Sequence, residues 1–302
     1  MITITDLRKT YGTRRAVDDL SFQVAAGRVT GFVGPNGAGK STTMRMMVGL
    51  TRPDRGSVTY DGAKYTDLRY PARVVGSVLD ARCMHPGRSA RQHLRSIAAL
   101  SRLPMTRVDT VLDEVGLGTA ANQRAGGFSL GMRQRLALAG ALLGEPQVLL
   151  LDEPSNGLDP DGIRWLRTYL TGFARRGGSV FVSSHLIGEL AMFADDLVVV
   201  GAGKLLAAES VAAITTRNAK VVVVVETVTA GQLAELAQHL TATGLIVQVN
   251  GAQLLVHGSD RRAVAEVAHR NNIAILALTE TSRSLEDSLL DLTAGAAEFA
   301  SA

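Results

Sequence analysis

Eight residues, Gly34 to Ser41, read G-P-N-G-A-G-K-S and fit the spacing G-x-x-x-x-G-K-[ST]. The chemistry open to that spacing is the holding of a polyphosphate. Gly34, Gly37 and Gly39 let backbone N–H groups crowd around a β-phosphate where a Cβ would obstruct. Lys40 supplies a point charge for β- and γ-oxygens. Ser41 offers its Oγ to Mg²⁺, and the helix that opens there turns its positive end toward the anion. The plainer reading is a Gly-rich turn carrying a solvent-facing Lys. A preceding apolar run, "RVTGFV" at 28–33, and a following helical pattern, "STTMRMMVGL", favour the phosphate loop.

Two carboxylates and a histidine stand at comparable places. "QVLLL" at 147–151 runs straight into Asp152 and Glu153, and "SVFVSS" at 179–184 into His185. Apolar residues on successive positions suit strands buried on both faces of a parallel sheet. Ligands of such sheets gather beyond the carboxyl ends of the strands. Asp152 is therefore placed to hold Mg²⁺ through water, and Glu153 to accept a proton from an attacking water. The alternative for the carboxylates is a solvated loop pair. His185 is either a structural hydrogen bonder or a contact to the γ-phosphate and to "SNGLD". A further segment, "FSLGMRQRLALAG" at 128–140, holds no nucleophile. Ser129 can cap a helix whose first turn includes Gly131, Met132 and Arg133, and that exposed positive end is an anion site. Otherwise it is an ordinary capped helix with Arg133 and Arg135 in solvent.

Strand alternating with helix, including "DGIRWLRTYLTGFARRG" before 179–184, argues for an α/β domain. The segment before residue 28 and "SVTYDG" at 57–62 read as antiparallel strands. Residues 88–143 are mostly helical by pattern, a helical insertion between the first two parallel strands. Composition shifts at about 210–220. Beyond lie "VVVVV", a helix "AGQLAELAQHL", strands "IVQV" and "QLLV", a helix "DRRAVAEVAHR", a strand "IAILAL" and a last helix "SLEDSLLDLTAG". The expected domains are residues 1–215 and a small α/β domain at 216–302.

With 302 residues, 46% of them hydrophobic, the chain can bury a large core, packed mainly by aliphatic residues because aromatics are only 4%. A net charge of +4 is too small to argue for nucleic acid or membrane attraction. Its one cysteine, Cys83, excludes an internal disulfide framework. The N-terminal stretch lacks the apolar core of a signal peptide, and Glu145 and Pro146 break the longest apolar run.

In their order along the chain, these parts resemble the ABC-type ATPases, the nucleotide-binding subunits of ABC transporters. The resemblance covers about residues 1–215. It rests on Tyr11 in "KTYGTRRAVDDLSF", the loop 34–42, "FSLGMRQR", "VLLLDEP", "SNGLD" and His185. It implies a P-loop NTPase fold with an antiparallel β subdomain and a helical subdomain, binding ATP and Mg²⁺. Tyr11 would stack on adenine, or else be a turn residue. Gly34, Pro35, Asn36, Gly37, Ala38, Gly39, Lys40, Ser41 and Thr42 would hold the nucleotide, with Ser129 and Gly131 reaching the one bound by an opposite subunit. Glu153, His185 and Lys40 would be catalytic, and Ser41, Asp152 and Asp80 would serve the metal. One phosphate loop and one signature per chain then imply two copies, a homodimer sandwiching two ATP molecules.

Two departures stand out. Leu130 and Met132 replace the usual glycine and glutamine of the signature, and Asp80 takes the place of the family's Q-loop glutamine. Asp80 either reaches Mg²⁺ or its water or is a loop carboxylate, and bacitracin-resistance-type exporters are similar at this place. The stretch from Met84 to Leu100 lies where the family receives a membrane subunit; the plainer reading of Arg88, Arg91 and His93 is a solvated face. The implied partners are an integral membrane permease and a second ATP-binding subunit, with no nucleic acid, at the cytoplasmic face of the membrane. The resemblance favours export, of drugs, antibiotics or lipids. Soluble ABC ATPases of the ribosome-acting kind carry two cassettes, and those of the DNA-repair kind a long coiled coil. This sequence has one GKS, one SLGM and no sustained heptads. A GTP switch would need a guanine-reading motif, and none follows the loop.

Overall fold

A computed structural model of the protein describes residues 1–81, 84–218 and 221–282. Cys83 and the helix expected at "SLEDSLLDLTAG" lie outside the described residues. The described residues divide into two compact units, 1–211 and 212–282.

The first unit begins with β1 (Ile2–Tyr11), β2 (Arg14–Val24), β3 (Val29–Val33), α1 (Lys40–Met47), β4 (Arg55–Tyr60) and β5 (Val75–Val78). Three helices follow, α2 (Ala90–Leu100), α3 (Arg107–Glu114) and α4 (Leu130–Leu142). The unit continues through β6 (Val148–Leu151), α5 (Pro160–Arg175), β7 (Ser179–Ser184), α6 (Ile187–Ala191), β8 (Asp196–Gly201) and β9 (Lys204–Ser210). An antiparallel sheet of order β2-β1-β4 stands beside a six-stranded sheet of order β5-β6-β7-β3-β8-β9. All pairs in the larger sheet are parallel except β8 with β9.

Strands β3, β6 and β7 are buried along their whole length, which is why their apolar residues are consecutive rather than alternating. Phe32 stacks on Phe181, their ring centroids 5.0 Å apart, and Phe22 of β2 packs 5.8 Å from each. These three rings join the two sheets in one core. The helices between β5 and β6 form the helical insertion, and α2 opens on a reciprocal capping box between Ser89 and Gln92.

Three strands of the large sheet carry no expectation from the sequence. β5 has only four residues, with Gly76 and Ser77 in the middle, and a Cβ at Gly76 would collide with the Ala141 carbonyl of α4. β8 and β9 form a hairpin whose turn residues, Ala202 and Gly203, both have positive φ. What matters for chemistry is the neighbour order β6-β7-β3. It sets side by side the carboxyl ends that lead into Asp152, His185 and the phosphate loop.

Helix α7 (Val211–Asn218) leads into the second unit. There β10 (Val221–Thr227), α8 (Ala230–Ala242), β11 (Ile246–Asn250), β12 (Gln253–His257), α9 (Arg261–Arg270) and β13 (Ile275–Ser282) follow one another. The sheet order is β11-β12-β10-β13, wholly antiparallel. This is the split βαββαβ arrangement of ferredoxin-like domains. Leu233, Leu236 and Leu240 of α8 and Val264 of α9 bury against Val223, Val225, Leu254 and Val256 of the sheet. Among the described residues no helix is long and apolar enough to cross a membrane.

Candidate functional site

Residues 34–39 bridge β3 and α1. Gly37 and Gly39 have φ of 82° and 100°, the left-handed region that disfavours a side chain. The nearest obstacles to a Cβ at Gly34 and Gly39 are protein carbonyls, those of Val200 and Ala16. At these two positions the missing Cβ makes room for the chain's own neighbouring backbone. Lys40, only 6% exposed, folds back so that Nζ donates to the Gly34 carbonyl at 2.7 Å and the Pro35 carbonyl at 3.4 Å. Its ammonium also lies 3.4 Å from Glu153 Oε1.

Glu153 sits at the turn after β6 with φ 48°. Its Oε2 is 2.9 Å from His185 Nδ1 and accepts from the His185 backbone N–H at 3.4 Å. The glutamate thus stands between the lysine and the histidine. The wholly buried Ser183 of β7 holds this corner together. Its Oγ donates to Asp152 Oδ1 at 2.6 Å and accepts from the Glu153 N–H at 2.9 Å. The Asp152 N–H in turn donates to the Val78 carbonyl at 2.8 Å. Sequence reasoning did not single out Ser183. Its signal was a hydroxyl in an otherwise apolar run.

A cleft of about 520 Å³ opens over the loop. Tyr11, Asn36, Gly37, Ala38, Gly39, Lys40, Ser41, Thr42, Glu153 and His185 line it, as do Asn156 of the SNGLD segment and two residues that were not expected at the site, Arg14 and Ala16. Tyr11 is half exposed, with Lys9 Nζ 5.5 Å from its ring centroid. Asp152, Asp80, Ser129 and Gly131 are not among the lining residues. Asp80 instead lines a separate cavity of about 580 Å³ with Arg45, Leu50, Met84 and His93.

Ser129 is the N-cap of α4 and accepts from the Met132 N–H at 3.2 Å. Arg133 and Arg135 are not free in solvent. Arg133 donates to the carbonyls of Phe128 and Gly126, each at 3.1 Å. Arg135 donates to the Val115 carbonyl at 2.9 Å and stacks 4.0 Å from the Trp165 ring centroid. A Cβ at Gly131 would lie 3.6 Å from Leu158 Cδ2, so the helix start faces the chain's own 155–159 segment. Leu130 is 44% exposed and its Cδ2 fills the space beside Gly157, whose φ is 72°. On the outer helices, Arg91 bonds to Asp109 at 2.8 Å and Asn122 at 2.6 Å, which makes it a tie between helices rather than a solvated charge.

The arrangement has the parts for hydrolysing a terminal phosphate: a cradle, a buried ammonium, and a carboxylate held by an imidazole. Among the described residues no group of three or more His, Cys, Asp or Glu side chains stands ready to hold a metal. The hydroxyl of Ser41 and the carboxylate of Asp152 are hard oxygen donors. They fit Mg²⁺, an ion that takes much of its shell from phosphates and water.

Comparison with known proteins agrees in kind. The family described as "ABC transporter" matches residues 17–156. An uncharacterized ABC transporter ATP-binding protein, YhcH of Bacillus subtilis, is 35% identical over 297 residues, 97% of this chain and 96% of the relative. The bacitracin transport ATP-binding protein BcrA of Bacillus licheniformis is 33% identical over 299 residues, covering 98% of each chain. A solved structure of an ATP-binding subunit of an ABC transporter superposes with a TM-score of 0.65 at 26% identity, over 72% of this chain and 92% of that one.

Proposed function

We propose a motor role for this chain from one premise: it belongs to the ABC transporter family. It is an ATP-binding, ATP-hydrolysing subunit of that family, and the motor it forms works on a separate membrane permease to drive export. One relative that resembles it along nearly its whole length is a bacitracin transport ATP-binding protein. An antibiotic or a similarly amphipathic molecule is accordingly the class of cargo we assign.

The observation that carries the motor reading is a separation. The phosphate loop, Glu153 and His185 share one cleft, while Ser129 and Gly131 stay out of it. A helix start that its own cleft does not use can take an anion from elsewhere. A second copy supplies it, and two chains facing head to tail complete two sites. Within each site Tyr11 stacks on the base and residues 34–42 wrap the phosphates. Lys40 leaves Glu153 for the β- and γ-oxygens. Glu153, released from the ammonium, takes a proton from the attacking water, and His185 orients the carboxylate and meets the γ-phosphate. Mg²⁺, when bound, neutralises phosphate charge. Ser41 and Asp152 would hold it, and Asp80 would join them or reach its water. Asp80→Ala is expected to lower Mg²⁺-dependent turnover while leaving ATP binding nearly intact, and unchanged turnover removes it from the set.

The deciding experiment is sedimentation of Glu153→Gln with ATP. Loss of the base is expected to trap a closed dimer of twice the chain's mass. A particle that stays monomeric with ATP bound would show that two copies of this chain alone do not complete the sites.

A further inference from the structure

The β1–β2 hairpin brings a second group to the cleft. Its turn is Gly12–Thr13, and the residues directly opposite each other across it are Tyr11 and Arg14. Cross-strand partners of this kind have Cβ atoms about 5 Å apart. Both side chains line the cleft above the phosphate loop. Arg14 Nη2 donates to the Gly37 carbonyl at 3.3 Å, and a Cβ at Gly37 would lie 2.9 Å from the same nitrogen, so a side chain there would push the guanidinium aside.

The other cations of this hairpin are already neutralised. Arg8 is paired with Asp19, Lys9 with Asp54 at 2.8 Å, and Arg15 with Asp18 at 3.0 Å. Arg14 has no carboxylate within ion-pair distance among the described residues. Its single partner is a neutral carbonyl. Hydrogen bonds from a guanidinium to an anionic oxygen are about twice as strong as bonds between neutral partners. A phosphate at this place would therefore displace the carbonyl.

We propose that Arg14 is a nucleotide-positioning residue that grips the α- or β-phosphate, resting on the reading that nucleotide fills this cleft. Tyr11 marks the base end and Lys40, gripping β- and γ-oxygens, the far end. Arg14 shares a hairpin rung with the first and bonds to the loop that leads into the second. Its contact is with oxygens that ATP and ADP have in common. One hairpin thus fixes both the base and the inner phosphates, and binding trades the Gly37 carbonyl for nucleotide.

The test is equilibrium binding of ATP and of ADP to the full chain, with steady-state hydrolysis, for wild type, Arg14→Ala, Arg14→Lys and Lys40→Ala. Arg14 is exposed and outside the core, so its truncation leaves the fold in place, which a thermal melt checks. A hydrogen bond to a charged group sets the expected loss in Arg14→Ala at about tenfold or more in affinity for both nucleotides. KM should rise by more than kcat falls, because the contact is kept from ground state to transition state. Arg14→Lys should recover part of the loss. Wild-type affinity for both nucleotides in Arg14→Ala, with binding lost in Lys40→Ala, overturns the proposal and leaves the cleft reading intact. Weakening of ATP alone moves the contact to the γ-phosphate and also overturns it. Full binding by Lys40→Ala sinks the cleft reading instead.

Discussion

Lys40 Nζ and Glu153 Oε1 lie 3.4 Å apart, a salt bridge between the group that is to hold phosphate and the group that is to activate water. The pair is mostly buried, so the bridge, the loop carbonyls on Lys40 and His185 on Glu153 together take the place of water. Incoming triphosphate must take Lys40 from Glu153. Replacing the carboxylate by an amide removes that competitor. Glu153→Gln should therefore bind ATP more tightly than wild type while hydrolysing it about 10²–10⁴-fold more slowly. Equilibrium titration beside a turnover assay checks both halves, and weaker binding would show that the bridge does not compete.

The cap of α4 predicts two losses of different size. Ser129→Ala leaves the Met132 N–H without its acceptor, which should cost about 1 kcal/mol of stability. ATP-dependent dimer formation should fall much further than that figure allows, because the same hydroxyl is to meet the partner's nucleotide. Denaturant unfolding and sedimentation separate the two. Equal losses in both would make Ser129 a cap and nothing more.

Leu130 and Gly157 test how the signature is tied to the segment after β6. At Gly157 the φ of 72° and the Leu130 methyl both oppose a side chain. Gly157→Ala should cost about 1 kcal/mol for the left-handed backbone, and a smaller amount for turning aside the exposed tip of Leu130. With Leu130→Gly present only the first cost should remain. The double-mutant cycle would then give an interaction energy of at least about 0.5 kcal/mol, and additive effects would show that the two residues are independent.

The phosphate loop and the strand ends were legible because they are local: a fixed spacing of glycines and lysine, or an apolar run that stops at a carboxylate. Strand β5 was not, because four residues centred on Gly76 and Ser77 carry no periodicity. The antiparallel pairing of β11 and β12 did leave a mark: Gly251, the first of the two turn residues between the paired Asn250 and Gln253, has a φ of 60°, which a glycine meets without strain. Arg14 stood in plain view beside Arg15. Nothing in sequence distinguishes the one that pairs with Asp18 from the one that reaches the loop. The bridge from Lys40 to Glu153 depends on β3 and β6 flanking β7, a relationship that sequence order conceals.

His93 gives a pH dependence. Burial, and then the charge of Arg88, hold its pKa below the ordinary 6.5. The folded protein keeps the imidazole neutral while the unfolded chain takes up a proton as pH falls through 6.5. Stability associated with His93 is thus present above that pH and declines below it, until the folded protein also protonates. His93→Gln should lose less thermal stability than wild type between pH 7.5 and pH 5.5. Identical slopes would mean that His93 titrates alike in both states.

Ser183 spends its one proton on Asp152 and its lone pair on the amide of Glu153, so a single hydroxyl registers two successive carboxylate residues against the neighbouring strand. The Asp152 carboxylate and the Glu153 backbone cannot shift without breaking that clasp, and His185, which holds the Glu153 carboxylate, follows two residues along the same chain. Water activation in this protein is therefore set by the depth of a strand in its sheet. A shift of β7 by a fraction of an ångström would retune base and imidazole together.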